Sequence, residues 1–240
     1  YNQGYDLWGT EMTLKRDAYY PIRTYKDFEA IDEEKQFDPV SVFLEVLGKL
    51  KTEEIVGIQL LIAPSYDDWH EHWEHKVSKL KEPKMKESVR SAGTDTETFS
   101  KLIARSPGET DVLEAVDRNL SKPAFDTLIR FIYLSPKNIF YDSFARRGLV
   151  GAFAQYASQD MNSFTQNYSL STRTRGWQKP YIFPKIRNDY RKQRLLYSYR
   201  MRSIPHKTWM GKLITSYLFN WNFKSTRFQM NTECLATLFH

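Results

Sequence analysis

The chain has 240 residues, 41% of them hydrophobic, with one cysteine and a formal net charge of +6; this length and composition suffice for a buried core and exclude a disordered or fibrous protein. The lone cysteine excludes an intramolecular disulfide framework and favours a reducing compartment. The longest apolar run covers residues 55–63, far short of the roughly 18–20 residues that cross a bilayer, so we expect no membrane-spanning segment.

A strand, a helix and a second strand are predicted in the first quarter of the chain. Bulky and polar residues alternate over 19–25, which is typical of a half-buried strand. Asp38 and Pro39 suit the N-cap and the first position of a helix, and apolar residues follow at helical spacing through position 50. The run 55–63 is apolar almost throughout, which favours a central strand buried on both faces. Together these elements form a βαβ unit.

The middle of the chain repeats this order of elements after a polar connection at about 65–110. The polar connection predicts a solvated helix followed by a mobile loop. We then expect a short helix over 111–120, a strand over 125–134 and a helix over 145–156. Two such halves in one mixed or antiparallel sheet, with helices packed on one face of it, make an α+β sandwich of ferredoxin-like type.

Charge is divided unevenly, which separates an acidic body (residues 1–170) from a basic segment (171–240). Residues 1–170 carry 21 basic and 27 acidic side chains, whereas 171–227 carry 14 basic side chains and one acid. Cations neutralise phosphates and aromatic faces stack on unpaired bases, so interleaving the two suits single-stranded nucleic acid. The alternative is that the aromatics are core and the cations a solvated rim. The candidate contact residues are Arg173, Arg175, Trp177, Arg187, Arg191, Lys192, Arg194, Arg200 and Arg202.

Regular structure is also expected inside the basic segment. Residues 187–202 fit a helix, although the alternation over 195–202 leaves a strand open. Residues 227–230 are typical of a strand, and Asn231 or Thr232 would cap a last helix through position 238. This strand and helix would lead to a further domain.

Sequence signatures of catalysis are absent. The chain contains no G-x-x-x-x-G-K-[ST], G-x-G-x-x-G or G-x-S-x-G motif, so we expect neither enzyme activity nor a cofactor in these residues. His70, His72 and His75 are of a metal-ligand type, but their offsets miss the zinc-protease spacing, and an exposed polar helix face is the alternative. Cys234 lies among apolar residues, which favours a buried structural thiol over a nucleophile.

Four strings spread along the chain carry a resemblance to a known family. They are Tyr5-Asp-Leu-Trp-Gly-Thr-Glu-Met, Tyr20-Pro-Ile-Arg-Thr-Tyr, Ser121-Lys-Pro-Ala-Phe and Asn231-Thr-Glu-Cys-Leu-Ala-Thr-Leu-Phe-His. Together they resemble the region ahead of the motor in membrane-associated bacterial ATPases of the HerA/TraG type, which are akin to conjugation and type IV secretion motors. The family's closing string usually reads Asn-Thr-Glu-Glu, and Cys234 replaces the second glutamate here.

The resemblance implies a non-catalytic accessory domain on the cytoplasmic side of a bacterial membrane, between membrane anchor and motor. With no methionine or signal peptide at Tyr1, the chain is expected to be a soluble internal fragment. Its implied partners are the ATPase domain beyond His240, and further copies in a homo-oligomer of the full-length protein. Residues 171–227 would contact DNA, the motor or anionic lipid headgroups. A stand-alone single-strand-binding module is the alternative function, and a metal-dependent hydrolase is a weaker one.

Overall fold

The fold is known from a computed structural model of the chain. The structure describes residues 4–29, 38–65, 68–82, 85–92, 95–102, 105–172, 183–206, 209–210 and 222–239, with the backbone alone for 85–92 and 95–102. The strands are β1 (Tyr5–Leu14), β2 (Ile55–Pro64), β3 (Met85–Ala92), β4 (Asp95–Leu102), β5 (Ala124–Pro136), β6 (Phe164–Gln166) and β7 (Phe228–Asn231). The helices are α1 (Pro39–Gly48), α2 (Trp69–Lys81), α3 (Pro107–Leu120), α4 (Asp142–Ala152), α5 (Pro184–Arg200) and α6 (Thr232–Phe239), with 3-10 turns at Tyr25–Asp27 and Phe153–Tyr156.

Within the residues that the structure describes, the main sheet has five strands, with β5 near its centre. Its order is β2-β5-β1-β6, and β7 also pairs with β5. Every pairing is antiparallel, so β1 and β2 run in the same direction with β5 between them. This is the split βαβ arrangement, and it confirms the predicted α+β sandwich, with an antiparallel rather than a mixed sheet.

Helices cover both faces of the main sheet. Alternate side chains of β1 and β5 form one core with α1, α4 and α6, built around Trp8, Phe131 and Tyr156. The remaining side chains face α5 and form a smaller core around Leu7 and Leu195. Consecutive strand residues point to opposite faces, so β1 and β5 serve both cores. The sheet is therefore the middle layer of three, and the expectation of helices on one face alone is wrong.

Local capping chemistry places several helix ends where the sequence predicts them. The side chain of Asp38 accepts a hydrogen bond from the Val40 N–H at 2.8 Å. The Asn231 side chain accepts one from the Cys234 N–H, also at 2.8 Å. Side-chain acceptors at these positions satisfy N–H groups that the first helical turn leaves unpaired. The predicted helices after Asp38 and Asn231 are confirmed.

Two strand predictions are wrong. Residues 19–25 form no strand, because the backbone there bonds to a neighbouring loop: the Arg23 N–H donates to the Tyr156 carbonyl at 3.0 Å, and the Asn162 N–H to Pro21 at 2.9 Å. The first strand is β1, which the alternation pattern did not predict. The run 55–63 is a strand, but it lies at one edge of the sheet, and β5 holds the central place.

The predicted mobile loop contains regular structure. β3 and β4 pair antiparallel from Met85 with Leu102 to Ala92 with Asp95, and α3 begins earlier than expected, at Pro107. Its start is a capping box, since the Ser106 hydroxyl accepts from the Glu109 N–H at 3.4 Å and the Glu109 carboxylate accepts from the Ser106 N–H at 3.2 Å. Within the ranges that the structure describes, no helix combines the length and apolarity needed to cross a membrane.

Candidate nucleic-acid interface

Helix α5 is the element that carries most of the described candidate residues. It begins after Phe183, whose backbone is left-handed with φ 49°, and Pro184 occupies its first position. Its buried residues are Arg191, Leu195 and Ser198, which recur every three or four positions and so share one face. This inner face lies on the sheet, and the opposite face of α5 is directed away from it.

The inner face of α5 packs over a buried ion pair between β5 and β1. The Arg130 guanidinium donates to one Glu11 carboxylate oxygen at 2.9 Å from Nε and at 2.7 Å from Nη2. Both side chains are fully buried. The Ser225 hydroxyl donates to the other Glu11 oxygen at 2.6 Å. Arg130 also donates to the carbonyls of Ser198 at 2.8 Å and Ser203 at 3.1 Å, which ties the C-terminal end of α5 to β5.

Sequence reasoning missed this pair, although a signal for it was present. Glu11 and Arg130 are charged residues in the interior of two strands, and a charge is buried only when it is paired and hydrogen-bonded. The two residues are directly opposite one another in the β1–β5 register. Their pairing becomes visible once that register is known.

Three of the predicted contact residues are engaged within the fold. Arg191 is 5% exposed, and it donates to the carbonyls of Asn222 at 2.8 Å and Ser171 at 3.0 Å. Burial, assisted by the charge of Arg187, lowers the pKa of Arg191 to about 10. Arg187 itself donates to the Asn222 side chain at 3.2 Å. Lys192 forms an ion pair with Asp6 at 2.6 Å.

The outer face of α5 combines aromatic and basic side chains. Ile186, Tyr190 and Tyr197 are 67%, 42% and 57% exposed and fall at helical spacing along that face. Arg200 and Arg202, both predicted contact residues, are exposed at its C-terminal end. We call this surface the outer face of α5. Its exposed members are Phe183, Pro184, Lys185, Ile186, Asp189, Tyr190, Gln193, Tyr197, Arg200, Met201 and Arg202, so one acid, Asp189, lies among its cations.

Some aromatic residues of the basic segment are core, and others are exposed as stacking on nucleic acid would require. Tyr199 is packed against the sheet and Phe223 is fully buried, as expected of core. Tyr190 and Tyr197 are exposed, as stacking would require. Arg194 is half-buried. The candidates Arg173, Arg175 and Trp177 lie outside the described residues.

The histidine cluster lies on α2. His70, His72 and His75 are all exposed, and the ring of His72 lies edge-on to Trp73 with the ring centres 4.7 Å apart. Across the ranges described, no three histidine, cysteine, aspartate or glutamate side chains come together in a way that could hold a metal ion. The three histidines lie on an exposed polar face of α2.

Comparison with known proteins places the chain in a family. A family model described as a domain of unknown function (DUF8128) matches residues 1–181. The chain belongs to the DUF8128 family. No curated protein and no solved structure matches it. The DUF8128 match covers the sheet strands β1, β2, β5 and β6 and ends before α5 begins at Pro184.

Residues beyond the DUF8128 match are joined to residues inside it by a buried carboxylate in α6. Glu233 is 7% exposed. It pairs with Lys122, and lies 4.0 Å from the Lys26 ammonium and 3.8 Å from Nε of Arg118. Three cations from the DUF8128 region therefore surround one acid of the last helix. We call these four residues the Glu233 junction.

Two further hydrogen bonds reinforce the Glu233 junction. The backbone N–H of Thr232 donates to the Pro123 carbonyl at 3.1 Å, and the side-chain amide of Asn231 donates to the Asn119 carbonyl at 3.1 Å. Two of the strings that carry the resemblance thus lie side by side, 121–125 and the described part, 231–239, of the last one. The structure brings together motifs that are more than 100 positions apart.

Cys234 lies next to the Glu233 junction in the main core. It is 3% exposed, and burial raises the pKa of its thiol to about 12. The thiol is therefore protonated at neutral pH and lacks the thiolate that a nucleophile needs. Cys234 is a buried core residue, as the sequence predicts.

Proposed function

We propose that this chain is a non-catalytic accessory domain of a DNA-translocating or type IV secretion-like ATPase, positioned between a membrane anchor and the motor. We further propose that the outer face of α5 contacts single-stranded DNA. One observation carries this proposal: α5 has an inner face that maintains the fold and an outer face that combines exposed aromatics with exposed cations. Those are the two components of a surface that follows an unpaired strand without reading its sequence.

The charges of α5 support an anionic partner for its outer face. Arg187, Arg191 and Lys192 already have partners within the fold, whereas Arg200 and Arg202 are exposed. Tyr197 is exposed one turn before Arg200. Stacking on a tyrosine contributes roughly 1–3 kcal/mol per base, and neighbouring cations neutralise the phosphates of the same strand.

The backbone at the start of α5 gives further support. Phe183 is 68% exposed although its φ is 49°, a region that bulky side chains rarely adopt. Strained positions of this kind concentrate at binding surfaces, where the strain is offset by what the position does. An exposed phenylalanine held in this way would extend the stacking surface beyond Ile186.

Charge reversal on the outer face tests DNA contact. We expect the chain to bind a fluorescent 20-nucleotide oligothymidine with a log-log salt slope near −3.5, as about five phosphate contacts would give. Replacing Arg200 and Arg202 together with glutamate should weaken binding at least about tenfold and reduce the steepness of the slope by about 1.4. Fluorescence anisotropy between 25 and 200 mM salt, about the range over which such contacts lose affinity, measures both.

A matched control separates a local surface from overall charge. The double variant Lys51→Glu with Lys79→Glu changes the net charge equally, at exposed positions outside α5, and should bind like the unaltered chain. Equal loss in both double variants, or no salt-dependent binding at all, contradicts the proposal. Binding to anionic lipid vesicles without binding to the oligonucleotide would assign the outer face to a membrane surface instead.

The accessory role is tested by the coding sequence that follows His240. A phosphate-binding loop of the G-x-x-x-x-G-K-[ST] type is expected within about one domain length, on the order of 100–200 residues. A stop codon directly after His240 would contradict that role. In that case the outer face of α5 would belong to a stand-alone nucleic-acid-binding module.

A further inference from the structure

Strand β2 forms one edge of the main sheet and has an unusual composition for an edge. It pairs with β5 from Ile55 opposite Leu134 to Pro64 opposite Phe125 without interruption, so no bulge bends it. Among the strands that the structure describes, β5 is its one partner. Edge strands are ordinarily protected by charges, bulges or short length, since their free N–H and C=O groups can pair with another strand.

None of these devices is present in β2. Its ten residues, Ile-Val-Gly-Ile-Gln-Leu-Leu-Ile-Ala-Pro, include no charge. All three of its isoleucines are exposed: Ile55 is 53% exposed, Ile58 is 39% exposed and Ile62 is 41% exposed. A charged partner would find no counter-charge along this strand, so its chemistry fits an apolar partner strand.

We propose that β2 pairs with β2 of a second copy of this chain, which joins the two main sheets into one continuous sheet. A second copy supplies an uncharged strand of the same length and pattern. When two copies pair antiparallel about a two-fold axis, the free edge of β2 forms the interface on both subunits, so no second surface is required. Two uncharged strands also meet without like-charge repulsion.

The positions of the exposed isoleucines fix the register. Ile58 and Ile62 lie on the same face of β2, two positions on either side of Leu60. With the two-fold axis at Leu60, Ile58 of each copy is directly opposite Ile62 of the other. Ile58 and Ile62 of both copies are thereby covered in the dimer, and each face of the joined sheet carries the same helical layer from both copies.

This register gives a test that depends on the pairing itself. Sedimentation velocity of the 240-residue chain should show a concentration-dependent dimer. Ile58→Lys should raise the dimer dissociation constant at least about tenfold, because two isoleucine pairs are lost per dimer. Ile62→Glu should do the same. The double variant Ile58→Lys with Ile62→Glu should restore dimerisation, since each introduced lysine then faces an introduced glutamate of the other copy.

Restoration cannot come from within one chain, because positions 58 and 62 are about 13 Å apart along a strand. Ile186→Lys, on the exposed face of α5, is the control and should leave the dimer unchanged. Circular-dichroism melting checks that each variant folds. A chain that is monomeric throughout, a dimer insensitive to Ile58→Lys, or a double variant that stays monomeric would overturn the proposal. None of these outcomes bears on DNA binding by α5.

Discussion

Replacing Arg130 with methionine is expected to lower the free energy of unfolding by about 3–5 kcal/mol, because it leaves a buried carboxylate without its cation. The Glu11 carboxylate is fully buried and accepts two hydrogen bonds from Arg130. The same change removes the bonds from Arg130 to the carbonyls of Ser198 and Ser203. Urea denaturation should show a lower midpoint at an unchanged slope.

Two further variants distinguish a buried pair from a general effect of losing an arginine. Arg147→Met removes an exposed arginine from α4 and should change stability by less than about 0.5 kcal/mol. Combining Arg130→Met with Glu11→Leu should recover about half or more of the loss, because an apolar pair leaves no unpaired charge. Equal losses for Arg130→Met and Arg147→Met would refute the role assigned to the pair.

Adding one methyl group at Gly9 is expected to destabilise the chain where α5 approaches β1. A Cβ at this position would lie 2.6 Å from Cδ2 of Leu195 and 2.7 Å from the Phe131 carbonyl oxygen. Since the carbonyl belongs to the central strand, the contact cannot be relieved by a side-chain rotation alone. Gly9→Ala should therefore lower the free energy of unfolding by roughly 1–3 kcal/mol.

Gly151→Ala provides a control with the opposite sign. A Cβ at Gly151 in α4 has no neighbour within 4 Å, and alanine is the better helix former by roughly 0.5–1 kcal/mol. Thermal melting of the two variants should therefore shift in opposite directions. A neutral or stabilising Gly9→Ala would mean that α5 is not seated directly on the β1 backbone.

Features decided by near neighbours in the chain were predictable. The helix after Asp38 and the helix after Asn231 begin where a side chain caps the backbone two or three residues later, a relation readable in any sequence. β5 was also predictable from its run of β-branched and aromatic residues. The α+β class follows from the order of such elements.

Features decided by distant partners were not predictable. Alternation over 19–25 fits a strand, but this backbone bonds to residues near 156 and 162. Apolar composition alone suggested that β2 is central, whereas its edge position depends on which strands flank it. Strand pairing is non-local, so a pattern within one strand carries no information about its neighbours.

The sequence by itself determined that residues 171–227 are strongly basic and aromatic, since composition needs no structure. Only the tertiary structure decided which of those side chains are available to a partner. Arg191 donates hydrogen bonds to carbonyls 20 and 31 positions away. Helix α5 packs over the ion pair of Glu11 and Arg130, which are 119 positions apart. A charge is buried where distant groups can satisfy it, and it is the packing of α5 on the sheet that leaves Tyr197, Arg200 and Arg202 facing outward.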